Sequence, residues 1–385
     1  MKWEMAQLIK KAPIINNPVQ RFDGEKKYVA TGDLSDEIDS CVEKVTFDNR
    51  PSRANLLAEE GDVIVARMKS TKKILQIQKS ESNMIFSTGF IVLRPNEELL
   101  SKYLYYFLFS DLFQNKKDSL CTGATQQSIN NNNFADIQIP LPSLAEQKRI
   151  ATILDKADAL RRKDGELLKK YDELAQSIFI DMFGDPVKNE KGWEVKKLGE
   201  ICTKITDGTH DTPARLRSGI KFITGKHIRP YLIDYDNSDY VTEEVHSEIY
   251  RRCNPEFRDI LYTNIGVNYA TAAMNIVTYE FSMKNVALLK YNRSLVYGRY
   301  LEYLLNNEHF KNVLRKQTDI GGAQQFLSLG QINFISIPIP SLELQKRFED
   351  KIEFIINIKN KSIPVQDYGK MLFQSLLQQA FKGEL

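Results

Sequence analysis

Residues 143–182 read SLAEQKRIATILDKADALRRKDGELLKKYDELAQSIFIDM. Within them Ile150, Ala157, Asp164, Tyr171 and Ile178 follow one another at sevens, and so do Ile153, Leu160, Leu167 and Leu174. This is an a/d heptad seam flanked by Lys, Arg, Glu and Asp. A seam of two positions in seven is narrower than the apolar face of an ordinary globular helix, so it predicts a partner helix. At 1.5 Å per residue such a helix is roughly 55–60 Å long. Asp164 at an a position, with Gly165 beside it, weakens the middle and is a register device rather than a source of stability.

The chain supplies its own partner. Pro142-Ser143-Leu144-x-x-Gln147-Lys148-Arg149 recurs as Pro340-Ser341-Leu342-x-x-Gln345-Lys346-Arg347, 198 residues on. The same displacement relates Gln126-Gln127 to Gln324-Gln325, Ile137-x-Ile139-Pro140 to Ile335-x-Ile337-Pro338, and Gln176-Ser177 to Gln374-Ser375. A period this long is a whole-domain duplication, not a solenoid unit. Each copy closes with a long helix. In the second of these, Phe348, Ile352 and Ile355 form a seam, and Leu372, Ser375, Leu376 and Gln379 resume it after Pro364. An interior proline costs roughly 3 kcal/mol, so two helical pieces are expected over 341–385, with a kink near Pro364.

A chain of 385 residues predicts two or three domains. Its 42% hydrophobic and 27% charged content is that of a globular protein, and a net charge of +3 neither requires nor excludes nucleic acid. There is no run of ~18 apolar residues and no apolar h-region after Met1. Cys41, Cys121, Cys202 and Cys253 form no CxxC pair and read as reduced thiols. These features predict a cytoplasmic protein without a membrane partner.

The two tryptophans, Trp3 and Trp193, open the two copies. Strands are expected over Gly61–Arg67 and Gly89–Arg94, with counterparts at Asp259–Tyr262 and Asn285–Leu289. A helix over Glu97–Gln114 follows from Leu100, Tyr103, Leu104, Phe107 and Leu108; Tyr300, Leu301, Leu304 and Leu305 repeat it. A strand over Ala135–Leu141 leads through the prolines into the long helix. Ser143 is the expected N-cap and Glu146 the far side of a capping box. The domains so drawn are 1–142, 143–183, 184–340 and 341–385.

Taken together, the duplicated Ile-x-Ile-Pro-x-Pro-Ser-Leu-x-x-Gln-Lys-Arg hinges, Trp193–Ile201, Ile205-Thr206-Asp207-Gly208-Thr209-His210 and Gly123-Ala124-Thr125-Gln126-Gln127 resemble the DNA-specificity subunit of type I restriction–modification systems. The resemblance spans the chain. It implies an α/β (α+β) protein with two target-recognition domains on mixed sheets, separated by long helices that form an intramolecular antiparallel coiled coil. Each domain would read one half of a split double-stranded DNA target. The helices would set the spacing and dock two methyltransferase subunits, with S-adenosylmethionine on those partners and no cofactor or metal on this chain; motor–nuclease subunits can join. Two domains on a rigid spacer suit two half-sites at fixed separation. The divergence of Ala30–Lys79 from Thr206–Val277 predicts an asymmetric target. The first copy lacks a close match to the segment at 205–210.

DNA-contact candidates are Arg67, Lys69, Lys72 and Lys73 after a strand, and Lys226, His227 and Arg229 beside Tyr231, since base-edge readers favour clustered Arg, Lys, Asn and Gln. The plainer alternative for the first cluster is a solvated hairpin. Thr206, Thr209 and His210 offer hydroxyls and an imidazole, although Asp207-Gly208 also makes a tight turn. Thr125 and Gln126 recur as Ala323 and Gln324, which favours a role in the fold or in backbone positioning. Along the helix, Ile150, Ile153, Ala157, Leu160, Leu167, Tyr171, Leu174 and Ile178 are assigned to pairing. The charged flanks Arg161, Arg162, Lys169 and Lys170 are docking candidates, with a solvated face as the plainer reading.

Two other classes compete. An endonuclease or methyltransferase with its own site finds little support: Asn254-Pro255-Glu256-Phe257 lacks the second proline of the amino-methyltransferase motif, and Gly219–Lys226 has five residues between its glycines and His227 where a phosphate loop needs Ser or Thr. The four histidines make no metal-ligand pattern. A coiled-coil scaffold would leave two large domains unused.

Overall fold

The computed structural model describes residues 3–35, 37–266, 268–318 and 326–385. Two compact units emerge, Met1–Glu166 with Pro364–Leu385 and Leu167–Ile363. The boundary runs through both long helices. Each unit therefore holds one globular domain and one half of each helix.

In the first unit Val63–Ala66 and Phe90–Leu93 are buried at every residue. That is why they read as unbroken apolar runs rather than alternating ones. They sit centrally in an antiparallel sheet ordered 14–15, 90–93, 63–66, 74–76. A second sheet is ordered 44–45, 26–29, 85–87, 54–56, and its 26–29/85–87 pair is parallel. The second sheet is thus mixed, as expected, while the first is purely antiparallel. Met5–Gln7 pairs with Gln138–Pro140, a shorter strand than the sequence suggests. The expected helix over 97–114 is two, Ser101–Phe109 and Asp111–Ser119. Ser110 between them has extended backbone, and its Oγ accepts from Phe113 N–H, capping the second.

The second unit repeats this order. Strands beginning at 63, 74, 85 and 90 answer to strands beginning at 260, 271, 282 and 287, a constant offset of 197. The 220–224/282–284 pair is again parallel, and Glu194–Lys197 pairs with Ser336–Ile339.

The central helix runs Leu144–Phe183 and the C-terminal helix Leu342–Lys382. In the first unit Arg161 lies over Phe373 and Asp164 faces Gly369. In the second, Asp172 pairs with Lys359, and Phe179 meets Phe348 at 5.6 Å between centroids. Rising numbers on one helix meet falling numbers on the other, so within each unit the halves pair antiparallel.

Three of the eight residues expected in the seam face outward. Ile150 and Ala157 are buried, and Ile153, Tyr171 and Ile178 are partly so, but Leu160, Leu167 and Leu174 are 50%, 40% and 48% exposed. The buried stripe passes instead through Leu154, Ala175 and Phe179. Ile150, Asp164 and Tyr171 each have apolar residues at both three and four positions on. The partner packs on the side where Ala157, Gly165 and Ala175 let it approach, and the leucines are left outside.

The expected break at Pro364 is also absent, since the helix is unbroken through it. Pro364 and Asn360, whose carbonyl loses its donor, are both exposed, so water can meet that carbonyl.

The duplicated hinge has a structural purpose. Gln147 is fully buried; its Nε2 donates to the carbonyls of Glu98 and Pro142 (2.9 Å each), and its Oε1 accepts from Leu100 N–H (2.8 Å). Gln345, equally buried, donates to Pro340 (2.8 Å) and Leu295 (3.3 Å) and accepts from Tyr297 N–H (2.8 Å). The tyrosyls of Tyr103 and Tyr300 donate to the carbonyls of Pro140 and Pro338. At the helix start Glu146 N–H meets Ser143 Oγ at 3.4 Å, and the Glu146 carboxylate pairs with Arg149. Leu at either glutamine keeps the volume but orphans buried backbone groups. We expect Gln147→Leu and Gln345→Leu each to cost about 2–4 kcal/mol in urea unfolding; a loss under about 0.5 kcal/mol would mean the clasp is dispensable.

Candidate nucleic-acid interface

In the second unit a cleft of about 390 Å³ is lined by Arg215, Thr224, Gly225, Lys226, Arg229, Ile265, Gly266, Asn268, Lys284 and Asn285. Its floor is built from strand Ile220–Thr224 and the turn after Ser282–Lys284. Arg229 Nη1 donates to the carbonyls of Lys226 (2.7 Å) and Ile228 (3.1 Å), which engages one end of the guanidinium while the residue stays exposed. Arg215 and Lys226 share one oxygen of Asp239, at 2.6 and 3.1 Å. Both cations are exposed, so these pairs are weak and exchangeable. Lys284 Nζ bonds Thr212 Oγ1.

The turn at 206–210 joins this wall. Thr206 lies in strand Cys202–Asp207, opposite Leu288. A Cβ at Gly208 would sit 2.0 Å from the Met283 carbonyl oxygen, so only glycine fits there. Thr209 N–H donates to that carbonyl and His210 Nδ1 meets Asn285 Oδ1, each at 3.0 Å. The expected Thr209, His210, Lys226 and Arg229 are thereby brought to one face, while Thr206 serves the sheet. His227 is not on that face. It is buried, its Nδ1 accepts from Thr224 N–H at 2.9 Å, and burial holds its pKa below the usual value. It is a turn-capping residue, placed in the interior because the 225–227 turn folds its ring back under the strand. Gly219–Lys226 is no phosphate loop either, since strand Ile220–Thr224 occupies the residues between its two glycines.

In the first unit the hairpin at 67–73 lies against the loop at 122–127, every residue of which is exposed. Lys69 N–H donates to Gln127 O (3.0 Å) and Lys69 Nζ to Gln127 Oε1 (2.7 Å). Beneath, the fully buried Lys117 donates to the carbonyls of Met68 (3.1 Å) and Thr71 (2.8 Å), and burial lowers its pKa. Thr125, Gln126 and Lys69 share this exposed face. Arg67 does not. It is half-buried and donates to Phe90 O (3.0 Å) and Asn131 Oδ1 (2.8 Å). Lys73 Nζ donates to the carbonyls of Thr31 and Gly32 (2.6 and 3.1 Å), and Lys72 stands 3.8 Å from Asp111. Arg67 and Lys73 thus tie strands and loops together, because their nitrogens have carbonyls to answer. Ala323 and Gln324 lie outside the described residues.

Register places the two faces at the same point of the fold. Met68, Lys69 and Thr71 answer to Ile265, Gly266 and Asn268; Ser87 and Thr88 answer to Lys284 and Asn285. Cations therefore come from the hairpin in one unit and from the opposite wall in the other. Sequence reading missed Arg215, Lys284 and Asn285. The available signal was a Lys-Asn pair just before a strand whose counterpart is Ser-Thr.

Arg67→Met should lose about 2 kcal/mol of stability, through its orphaned acceptors. Lys69→Ala and Lys226→Ala should stay within about 0.5 kcal/mol of the parent. Chemical denaturation of the three variants decides, and equal losses would contradict the division.

The family described as "Type I restriction modification DNA specificity domain" matches residues 3–169. The MjaIX specificity subunit of Methanocaldococcus jannaschii is 27% identical over 321 residues, covering 77% of this chain and 72% of that protein. The EcoKI specificity subunit of Escherichia coli is 23% identical over 354 residues, covering 84% and 75%. The crystal structure of the type I restriction–modification S subunit from M. genitalium shares the fold, at a TM-score of 0.58 and 16% identity over 99% of this chain and 96% of that one. The family match covers the first copy, and the second repeats its element order at constant offset. Residues 3–169 thus match a type I restriction–modification DNA specificity domain, and most of the chain is similar to type I specificity subunits.

Proposed function

We propose that this chain is the non-catalytic reader of a bipartite, asymmetric DNA target. Residues 1–142 and 184–340 each take one half-site, and the helical regions hold the half-sites at fixed separation. The observation that carries this is the pair of equivalent faces with different side chains. One fold presented twice explains two half-sites, and the exchanged cations and amides explain why the halves differ. Two methyltransferase subunits bearing S-adenosylmethionine would methylate adenine in both halves, and motor–nuclease subunits can complete the assembly. The exposed leucines of the central helix, Leu160 in the first unit and Leu167 and Leu174 in the second, are the docking positions we assign to those partners. Arg161 and Arg162, considered for that purpose from the sequence, are both engaged by Asp158 at 2.8 Å.

Co-expression with the methyltransferase subunit of the same system, followed by genome-wide mapping of methylated adenine, should return one split motif with a fixed spacer. Lys226→Ala and Lys284→Ala should each weaken binding without altering that motif. Each should also flatten the slope of log K against log salt by about 0.9 for every phosphate that is no longer neutralised. A complex that forms but methylates nothing would overturn the reading in favour of a scaffold.

A further inference from the structure

We infer that Asn285 reads a base in the half-site taken by the second unit, and that the base is an adenine. The inference rests on the DNA-reading function proposed above and adds a residue and a chemistry to it. Asn285 lines the basic cleft between strands Ser282–Lys284 and Ala287–Tyr291, with Lys284 beside it and Lys226 and Arg229 across from it. Those cations suit phosphates; Asn285 is an uncharged amide placed among them. Its backbone is left-handed (φ 52°), and its N–H donates to Thr209 O at 3.2 Å. A non-glycine residue held at positive φ within a site is a mark of function, and asparagine tolerates that region better than most.

The side chain is oriented by a relay. Asn285 Oδ1 is 3.0 Å from His210 Nδ1; His210 Nε2 is 2.8 Å from Asp207 Oδ2; and the other oxygen of Asp207, a nearly fully buried residue, pairs with Arg252. The amide therefore cannot spin freely. Oδ1 is turned towards His210, while both N–H donors of Nδ2 have no partner among the described residues. A donor and an acceptor side by side on one planar amide match the N7 acceptor and N6 donor of adenine. The equivalent position in the first unit is Thr88, exposed and chemically different, so the two half-sites need not share that base. His210 is a positioning residue in this scheme.

The test uses the full chain co-expressed with its methyltransferase subunit, with methylated motifs mapped across the genome. Asn285→Gly keeps the backbone free and deletes the amide. It should relax one position, an adenine in the parent motif, in one half-site only, with roughly tenfold to hundredfold loss of discrimination there. Asn285→Asp replaces donors by acceptors and should shift that position towards cytosine, whose N4 donates. His210→Ala should blur the same position and no other. An unchanged motif in Asn285→Gly, or relaxation at a base other than adenine, overturns the inference. If Lys284→Ala still weakens binding in that case, the cleft remains a DNA surface and only the base assignment fails. If Lys284→Ala has no effect either, the reading of the cleft falls with it.

Discussion

A buried amide ties each recognition domain to its helix. Gln147 and Gln345 bridge the first turn of a long helix to the segment entering the helix at 101 or 298, and each is wholly removed from water. Their hydrogen bonds satisfy backbone groups that the proline hinge would otherwise leave unpaired in the interior. This constraint lets a domain be carried by a helix end as one body. A reader whose half-sites must keep register needs that, because any slack at the hinge would become slack at the base edges.

Much of the architecture was legible because duplication writes each signal twice. The hinge, the strands at 63–66 and 90–93 and their counterparts, and the antiparallel helix pairing all follow from apolar runs and repeated spacings. The failures came where a pattern admits two answers. A heptad repeat does not decide between neighbours at three and four residues, and small residues on one side settled it against Leu160, Leu167 and Leu174. Pro364 signals a helix break, yet an exposed proline leaves its orphaned carbonyl to water. Ser110 splits a helix by capping the next one, a choice invisible to apolar periodicity.

The interface was less legible than the fold for a related reason. A lysine or arginine in a sequence does not say whether its nitrogens will face solvent or carbonyls. Arg67 and Lys73 turn inward to hold strands and loops, Lys117 is entirely enclosed, and His227 caps a turn, whereas Lys69, Lys226 and Arg229 stay on the surface. Arg215, Lys284 and Asn285 are brought to the cleft by strand pairing between distant segments, which no local motif announces. The same pairing gives the two domains equivalent faces with different side chains, which suits the asymmetric target proposed.

The central claim is that target asymmetry resides in the side chains at equivalent positions of two like domains. Its most direct test replaces residues 1–142 with a second copy of 184–340, joined at the hinge, and maps adenine methylation by the resulting complex. The account predicts a split motif whose two halves are inverted copies of the half-site read by the second unit. A functional complex that still methylates an asymmetric motif would contradict it.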